Sequence, residues 1–226
     1  MTTTAPDDAP ALPASVGVLR TRLLPPRLPP NSVGRSELVA RVHRGLEGRV
    51  LALVAGAGYG KTTARVQALE SSPMPSVWLS CDARLRTPEM LIAHVAAGVA
   101  EAFPGVASAL PRADSPEGRI AALANELVET IPDDFVLALD DVHALDEPAV
   151  LEALARLTTD LPPNVHLAMT SRRELGASRL AAGGATVIGE DVLAFSFEEA
   201  AELLEDAPSA FGEAEIGELH QRTEGW

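Results

Sequence analysis

Lysine is almost absent from this chain. Of 226 residues, 17 are arginines and one, Lys61, is a lysine, whereas 32 are acids, which gives a formal net charge of −14. Contact with nucleic-acid phosphates depends on clustered cations, so this balance argues against a chain that binds DNA or RNA through its overall charge. We therefore expect no direct DNA binding by this chain.

Cysteine and long apolar runs are also scarce. The single cysteine, Cys81, excludes a disulfide framework within the chain and is typical of a reducing compartment. The two longest strongly apolar stretches, 50–60 and 90–100, contain 11 residues each, whereas a membrane-spanning helix needs about 20. The first ten residues do not have the pattern of a secretory signal. These observations predict a cytoplasmic protein with no membrane partner.

The distribution of proline and of apolar residues divides the chain into three parts. Seven of the 18 prolines lie in residues 1–30, which predicts a flexible leader. Residues 31–190 alternate short buried-strand runs with helical spacing, which predicts an α/β core. The pattern of Ser196 and Glu199 is a helix-capping box, and residues 191–226 are predicted to be helical, the beginning of a truncated lid or winged-helix region.

The predicted core has the architecture of a P-loop NTPase of the ASCE/AAA-like type, a parallel five-stranded sheet with helices on both faces. Strands are predicted at 50–55, 77–80, 135–139, 165–170 and 185–188, and helices at 36–47, 61–70, 88–103, 116–131 and 147–160. In sheets of this kind ligands bind beyond the carboxyl ends of the strands. Polar residues at those ends are therefore the candidates for a functional site.

A glycine-rich loop joins the first predicted strand to the next helix. Residues 55–62 read Ala-Gly-Ala-Gly-Tyr-Gly-Lys-Thr, the phosphate-loop pattern with alanine in the first glycine position. Glycines let successive backbone N–H groups face a phosphate, and the helix directs its positive end at the same point. Lys61 would neutralise the outer phosphates, and the Thr62 hydroxyl would hold Mg²⁺. The residues expected to contact nucleotide here are Gly56, Ala57, Gly58, Tyr59, Gly60, Lys61, Thr62 and Thr63.

The charge around this loop is opposite to that of the whole chain. The 22 residues between Glu47 and Glu70 contain no acid but hold Arg49, Lys61 and Arg65. Charges separated by more than about 8 Å are largely screened at physiological salt. The local excess of cations therefore favours nucleotide binding in spite of the net charge of −14.

A second candidate site follows the third predicted strand. Residues 135–141 read Phe-Val-Leu-Ala-Leu-Asp-Asp, and the first of the two acids comes 79 residues after Lys61. Asp140 would hold Mg²⁺ directly or through water, and Asp141 would orient the attacking water. Neighbouring strand residues point to opposite faces, so the two acids have different tasks. His143 either senses that water or caps the next helix, and we favour the cap.

Polar residues also end the fourth predicted strand. Thr170 and Arg172 are placed to contact the terminal phosphate if this strand lies beside the first one, whereas Arg173 reads more readily as a solvated surface residue. Upstream, Val-Gly-Arg-Ser-Glu places Arg35 in a turn that could line the adenine side of the nucleotide. The Asn-Lys-x-Asp motif that reads guanine needs a second lysine, so that motif is absent.

These motifs and their order resemble the signal-transduction ATPases with numerous domains (STAND). The resemblance rests on Val-Gly-Arg-Ser-Glu, Gly-Tyr-Gly-Lys-Thr-Thr, Leu-Asp-Asp-Val-His, Thr-Ser-Arg and the final Thr-Glu-Gly-Trp. Within that class the chain is similar to the nucleotide-binding module of large LuxR-type, MalT-like transcriptional regulators. The resemblance implies a switch in which ADP holds a resting state and ATP favours an active, self-associating state that slow hydrolysis resets.

The resemblance also assigns roles. It implies that Lys61 and Asp141 are catalytic together with a sensor arginine at Arg172, that Asp140 and Thr62 hold Mg²⁺, and that Arg35 contacts nucleotide. The expected ligands are ATP or ADP with Mg²⁺, and the expected partners are a second copy and an inducer or regulatory protein whose identity the sequence does not reveal.

Three alternatives remain open from the sequence. The longer relatives continue into a proline-containing closure, helical repeats and a helix-turn-helix, so this chain is expected to be a fragment or a stand-alone module. It could instead be an AAA-type ATPase with another role. It could also be an interaction scaffold that binds nucleotide without significant hydrolysis.

Overall fold

Five parallel strands form the centre of the molecule. The computed structural model describes residues 17–106, 113–174, 184–205 and 211–226. The strands are β1 Val50–Val54, β2 Ser76–Ser80, β3 Phe135–Asp140, β4 Val165–Ser171 and β5 Thr186–Ile188. They are ordered β2-β3-β4-β1-β5, and every neighbouring pair is parallel. The predicted five-stranded parallel sheet is therefore confirmed.

Helices cover both faces of this sheet. In chain order they are α1 Ser36–Leu46, α2 Lys61–Glu70, α3 Pro88–Ala102, α4 Pro116–Thr130, α5 Pro148–Asp160, α6 Glu190–Leu193, α7 Phe197–Glu205 and α8 Glu213–Thr223. Side chains alternate between the faces along each strand. Leu51 and Leu53 consequently pack with the buried residues of α1 and α2. Leu137 and Leu139 pack with those of α3, α4 and α5.

Two long helices begin where local chemistry predicts. Pro88 and Pro116 occupy the first helical positions, and Thr87 and Ser115 precede them as caps that accept hydrogen bonds from N–H groups in the first turn. The N–H groups of the first helical turn have no partner within the helix. Proline has no N–H at that position, and the hydroxyl of the cap residue accepts a hydrogen bond from one of the remaining N–H groups. These signals explain why the sequence placed both starts correctly.

The part of the predicted leader that the structure describes packs against the core. Residues 20–23 form a 3₁₀ turn in which Leu23 is buried. Arg22 is also buried, and its guanidinium lies 2.6 Å from an Asp82 carboxylate oxygen. An apolar side chain and an ion pair therefore hold this turn of the predicted leader against the core. Residues 1–16 lie outside the described part of the chain.

A buried histidine joins this N-terminal turn to α3. His94 is fully buried, its Nδ1 lies 2.7 Å from the Met90 carbonyl oxygen, and its Nε2 lies 3.2 Å from the Leu19 nitrogen. A carbonyl only accepts and a backbone N–H only donates, so Nδ1 carries the proton and Nε2 accepts. Burial lowers the pKa of His94 below 6.5, and the hydrogen bond to Met90 opposes that effect.

Acid is therefore expected to weaken the fold through His94. The unfolded histidine binds its proton at a higher pH than the folded one, so stability is complete above about pH 6.5 and falls as the pH drops towards the lowered pKa. His94→Gln should reduce the dependence of Tm on pH between about 7 and 5. Thermal melts over that range measure this, and an unchanged slope would contradict the role given to His94.

The C-terminal residues form short helices, as predicted. The capping box is present, because the Glu199 N–H donates to the Ser196 hydroxyl at 3.2 Å and the Ser196 N–H donates to the Glu199 carboxylate at 2.9 Å. None of the residues described in α7 and α8 is buried. Residues 206–210, which separate these helices, lie outside the described part. No helix in the described ranges is long and apolar enough to cross a membrane.

Candidate nucleotide and metal site

The order of the strands brings the two candidate motifs to one edge of the sheet. Strand β4 lies between β1, which leads into the glycine-rich loop, and β3, which ends in the acids. Thr170 pairs with Leu53 near the end of β1, and Met169 pairs with Leu139 of β3. The predicted roles of Thr170 and Arg172 required the fourth strand to lie beside the first one, and β4 does lie beside β1.

Two glycines shape the loop. Gly58 and Gly60 have positive φ angles of 89° and 69°, where a side chain would be strained. Gly60 immediately precedes α2, so the amino end of that helix opens directly onto the loop. This geometry suits an anion, since the N–H groups of a first helical turn have no partners within the helix.

Alanine at Gly58 is expected to destabilise the protein. A Cβ there would lie 2.7 Å from the indole nitrogen of Trp226, in addition to the strain of the positive φ. The left-handed conformation costs about 1–2 kcal/mol for a residue with a Cβ. Urea unfolding of Gly58→Ala should show a loss of at least about this size. Gly34→Ala is the matched control because open space surrounds Gly34, and an equal loss in both variants would contradict the prediction.

The single lysine lies within the loop. Lys61 is 7% exposed, and its Nζ donates to the carbonyl oxygens of Ala55 at 2.7 Å and Gly56 at 2.5 Å. Burial lowers the pKa of Lys61, and this shift is opposed by the negative charges of Asp141 and Asp140. The charges of the two acids thus act on the lysine.

The threonine of the loop contacts the first acid. The Thr62 hydroxyl lies 3.1 Å from Oδ1 and 3.3 Å from Oδ2 of Asp140, whose residue exposure is only 7%. Hydroxyl and carboxylate oxygens are hard donors of the kind that Mg²⁺ prefers. These two residues therefore fit the metal that the fold implies, and they are 78 positions apart in the sequence.

A buried arginine completes this contact. Arg65 is wholly buried, and its Nη2 donates to Asp140 Oδ1 at 2.6 Å. Burial lowers the pKa of Arg65 to about 10, with Asp140 opposing the shift, so the guanidinium stays charged at neutral pH. The sequence indicated Arg65 only as part of the local positive charge. No period or spacing in the sequence marked Arg65 as the partner of Asp140.

Thr170 has a different task from the one predicted. Its side chain is fully buried, its hydroxyl donates to Asp140 Oδ1 at 2.6 Å, and it accepts from the Asp141 N–H at 2.9 Å. The hydroxyl proton is thereby committed to a carboxylate. Thr170 orients the two acids, and the expectation that it reads the terminal phosphate is wrong for this arrangement.

Asp141 occupies an unusual backbone conformation. Its φ of 55° is left-handed, which few residues other than glycine adopt, although aspartate and asparagine tolerate it. Such conformations cluster at active sites. Its side chain is 41% exposed, with an oxygen 3.6 Å from His143 Nδ1. The second acid therefore faces solvent while the first is enclosed.

His143 lies beside Asp141. It belongs to a single 3₁₀ turn at Val142–Ala144, whereas α5 begins at Pro148 with Glu147 as its cap residue. The favoured prediction that His143 caps the next helix is wrong, because the intervening turn separates them. Burial lowers the pKa of His143, and the nearby charge of Asp141 opposes this shift.

The two arginines after β4 differ in their contacts. Arg172 is exposed and close enough to lower the pKa values of Lys61 and His143 through its charge. Arg173 donates from Nη2 to the His143 carbonyl oxygen at 3.0 Å. The structure thus brings Arg172 near the candidate site, and it gives Arg173 a contact with the turn that follows the acids.

Arg35 is used differently from the prediction. It is 4% exposed, and its guanidinium donates to the carbonyl oxygens of Leu193 at 2.8 Å and Ala194 at 2.7 Å. It also forms a salt bridge with Glu199 at 2.9 Å and lies 4.6 Å from the centre of the Phe195 ring. These contacts fix the lid segment, residues 191–226, to the start of α1.

Two residues to which the sequence analysis gave no role at the loop, Glu190 and Trp226, contact it. A Glu190 carboxylate oxygen accepts from the Gly56 N–H at 2.8 Å, and the Trp226 indole N–H donates to the Ala57 carbonyl oxygen at 2.8 Å. Gly225 allows the second contact, since a Cβ there would lie 2.5 Å from the Phe195 carbonyl oxygen. No local sequence signal marked these contacts, because they join segments about 130 to 170 positions apart.

Several solved structures share this fold, among them a Walker-type ATPase. At a TM-score of 0.55 and 18% identity, the chain matches a Walker-type ATPase of Pyrococcus abyssi over 86% of its own length and 66% of that protein. It matches Cdc6p from Pyrobaculum aerophilum at 0.57 and 19%, over 88% and 57% of the two chains. It matches Aeropyrum pernix Orc1, solved in complex with DNA, at 0.52 and 19%, over 86% and 51%.

These likenesses extend over only part of each neighbour. The chain spans between about half and two thirds of the length of the three proteins. No family model and no curated protein matches the sequence. With identities below 20%, the shared feature is the fold. The chain has the fold of the P-loop ATPases of the AAA+/ASCE type.

Proposed function

We propose that this chain is an ATP-binding, slowly hydrolysing nucleotide-switch domain. The observation that carries the proposal is the contact between Thr62 and Asp140 at 3.1 Å, at the open end of the glycine-rich loop. A threonine and an acid brought together there are what a nucleotide with its Mg²⁺ requires. The positive φ angles of Gly58 and Gly60 support the same function.

Binding would begin with the loop and its lysine. The backbone N–H groups at the start of α2 would face the phosphates, and Lys61 would exchange the carbonyl oxygens of Ala55 and Gly56 for phosphate oxygens. The metal, held by Thr62 and Asp140, would neutralise phosphate charge. The enclosed position of these groups strengthens each electrostatic contact, since water is largely excluded.

Hydrolysis would depend on the exposed acid. Asp141 is held by its own backbone N–H bond to Thr170, and it presents its carboxylate to solvent, where it could orient a water molecule and accept its proton. Arg172 would stabilise the charge that develops on the phosphate. A slow reaction is expected because the resemblance to the STAND class implies slow hydrolysis that resets the switch.

The role as a switch in a LuxR/MalT-like transcriptional regulator is supported by the sequence motifs that resemble the STAND class. In this proposal nucleotide exchange changes self-association, and an inducer or regulatory protein biases the exchange. The contacts of Glu190 and Trp226 with the loop give the lid segment a means to respond to nucleotide.

Thermal stabilisation tests the nucleotide part of the proposal. ATP with Mg²⁺ and ADP should each raise Tm, and a ligand at 100 times its Kd contributes about 2.7 kcal/mol. GTP should stabilise less, because the guanine-reading motif is absent. Absence of stabilisation by any nucleotide at millimolar concentration would overturn the proposal.

A second candidate is an AAA-type ATPase with another role, favoured by the likeness to Cdc6p and Orc1. Light scattering with ATP, ADP and no nucleotide separates the candidates. A switch should change mass between ATP and ADP, a ring-forming ATPase should assemble into a defined ring with ATP, and an interaction scaffold should not respond.

A further inference from the structure

The acid expected to face the metal is already paired with a cation. Arg65 Nη2 lies 2.6 Å from Asp140 Oδ1, and its Nη1 donates to the carbonyl oxygens of Leu139 at 2.8 Å and Ala168 at 3.1 Å. The guanidinium also lies 4.2 Å from the centre of the Trp78 ring. Four contacts thus fix a wholly buried charge at a position where the proposed hydrolysis gives it no task.

The two carboxylate oxygens of Asp140 are consequently unequal. Oδ1 accepts from Arg65 and from Thr170, each at 2.6 Å, and also from the Thr62 hydroxyl at 3.1 Å. The hydrogen bond that the structure gives to Oδ2 comes from the Thr62 hydroxyl at 3.3 Å. Oδ1 therefore has three described donors, and Oδ2, which has only the longer contact with Thr62, is the oxygen with room for a further ligand.

The pairing also changes the charge that a metal would meet. The affinity of oxygen ligands for a divalent cation rises with their negative charge, and the positive charge of Arg65 offsets that of Asp140. Within the ranges that the structure describes, no cluster of three or more His, Cys, Asp or Glu side chains could hold a metal ion. The phosphates of a bound nucleotide would supply the missing negative charge.

We propose that Arg65 is a positioning residue that makes divalent-metal binding conditional on nucleotide. It holds Oδ1 of Asp140, leaves Oδ2 for the metal or a metal-bound water, and cancels the charge that would otherwise attract the ion alone. This inference rests on the proposed function of the same site. Its consequence is that an empty loop does not retain a metal.

Manganese binding to the full chain tests this role without measuring activity. Electron paramagnetic resonance reports free Mn²⁺ directly, with ADP, with ATP and with no nucleotide. Wild-type protein should bind Mn²⁺ at the site only when nucleotide is present. Arg65→Met and Arg65→Gln should bind Mn²⁺ without nucleotide about tenfold more tightly or better, because Asp140 regains its charge.

Arg22→Met is the matched control. Arg22 is also a buried arginine, and it pairs with Asp82 at the same 2.6 Å separation. Loss of this pair should reduce stability and leave Mn²⁺ binding dependent on nucleotide. Tighter Mn²⁺ binding without nucleotide in Arg22→Met would assign the effect to general loosening and overturn the role of Arg65.

The wild-type measurement keeps the inference falsifiable even if both Arg65 variants fail to fold. Strong Mn²⁺ binding at the site by wild-type protein without nucleotide overturns it, and so do folded Arg65 variants that still require nucleotide. A chain that binds no nucleotide instead overturns the proposed function. Mn²⁺ titration of the Arg65 variants without nucleotide would then still measure metal binding at Asp140. Failure of the proposed function and failure of the role of Arg65 are therefore distinguishable.

Discussion

Lys61→Ala is expected to abolish the stabilisation of this protein by ATP. Lys61 is the only lysine in the chain and its Nζ lies within the glycine-rich loop, hydrogen-bonded to Ala55 and Gly56. The guanidinium groups of Arg35 and Arg65 are hydrogen-bonded to the Leu193 carbonyl oxygen and to Asp140. At 100 times the wild-type Kd, about 2.7 kcal/mol of stabilisation should fall towards zero.

The measurement is the shift in Tm with increasing ATP and Mg²⁺, compared between variants. Without nucleotide the variant should remain folded, because it loses two hydrogen bonds worth about 1 kcal/mol each on balance. Arg41→Ala is the control, because Arg41 is a half-exposed cation on α1 that pairs with Glu37 at 3.5 Å. It should keep the full response to ATP. Equal stabilisation of Lys61→Ala and wild-type protein would exclude the loop as the phosphate site.

The sheet could be predicted because its signals are local. The five strands are short apolar runs, and the caps Thr87 and Ser115 directly precede the helices that they begin. The association of the glycine loop with Asp140 was also predictable, since strands in a parallel sheet all direct their carboxyl ends to one edge. The 3.1 Å contact between Thr62 and Asp140 follows from that rule.

The contacts around Asp140 could not be predicted in the same way. Arg65 reads in the sequence as one more cation on a helix, and only the packing of α2 against β3 shows that its charge is buried. Thr170 reads as a polar end to a strand, and its commitment to Asp140 depends on β4 lying between β1 and β3. The roles of Arg65 and Thr170 depend on residues that are distant in the sequence, so no periodic pattern or residue spacing indicates them.

Arg35 shows a further limit. The turn before α1 suggested that Arg35 lines the adenine side of a nucleotide, whereas its described partners are Leu193, Ala194 and Glu199, more than 150 positions away. A guanidinium with several donors binds wherever carbonyl oxygens and a carboxylate converge. The lid segment supplies that combination, and the sequence alone gave no reason to prefer it to a nucleotide.

Asp141→Asn is expected to leave nucleotide binding intact and to reduce hydrolysis by about 10²–10⁴-fold, the usual contribution of a positioned general base. The substitution is close to isosteric, and asparagine tolerates the left-handed conformation with φ of 55° that position 141 requires. The backbone N–H bond to Thr170 is also retained. Stability should therefore change little, which separates a chemical effect from a structural one.

Phosphate release under single-turnover conditions measures this effect, alongside the Tm shift that reports binding. Asp146→Asn is the matched control, because Asp146 is an exposed acid five residues further along the same connection to α5. It should hydrolyse ATP at the wild-type rate. If Asp141→Asn does so too, the water is oriented by another group, and His143, whose ring lies 3.6 Å from Asp141, becomes the next residue to replace. If hydrolysis is lost and binding persists, the variant holds the ATP state, and its mass in light scattering then reports whether that state self-associates.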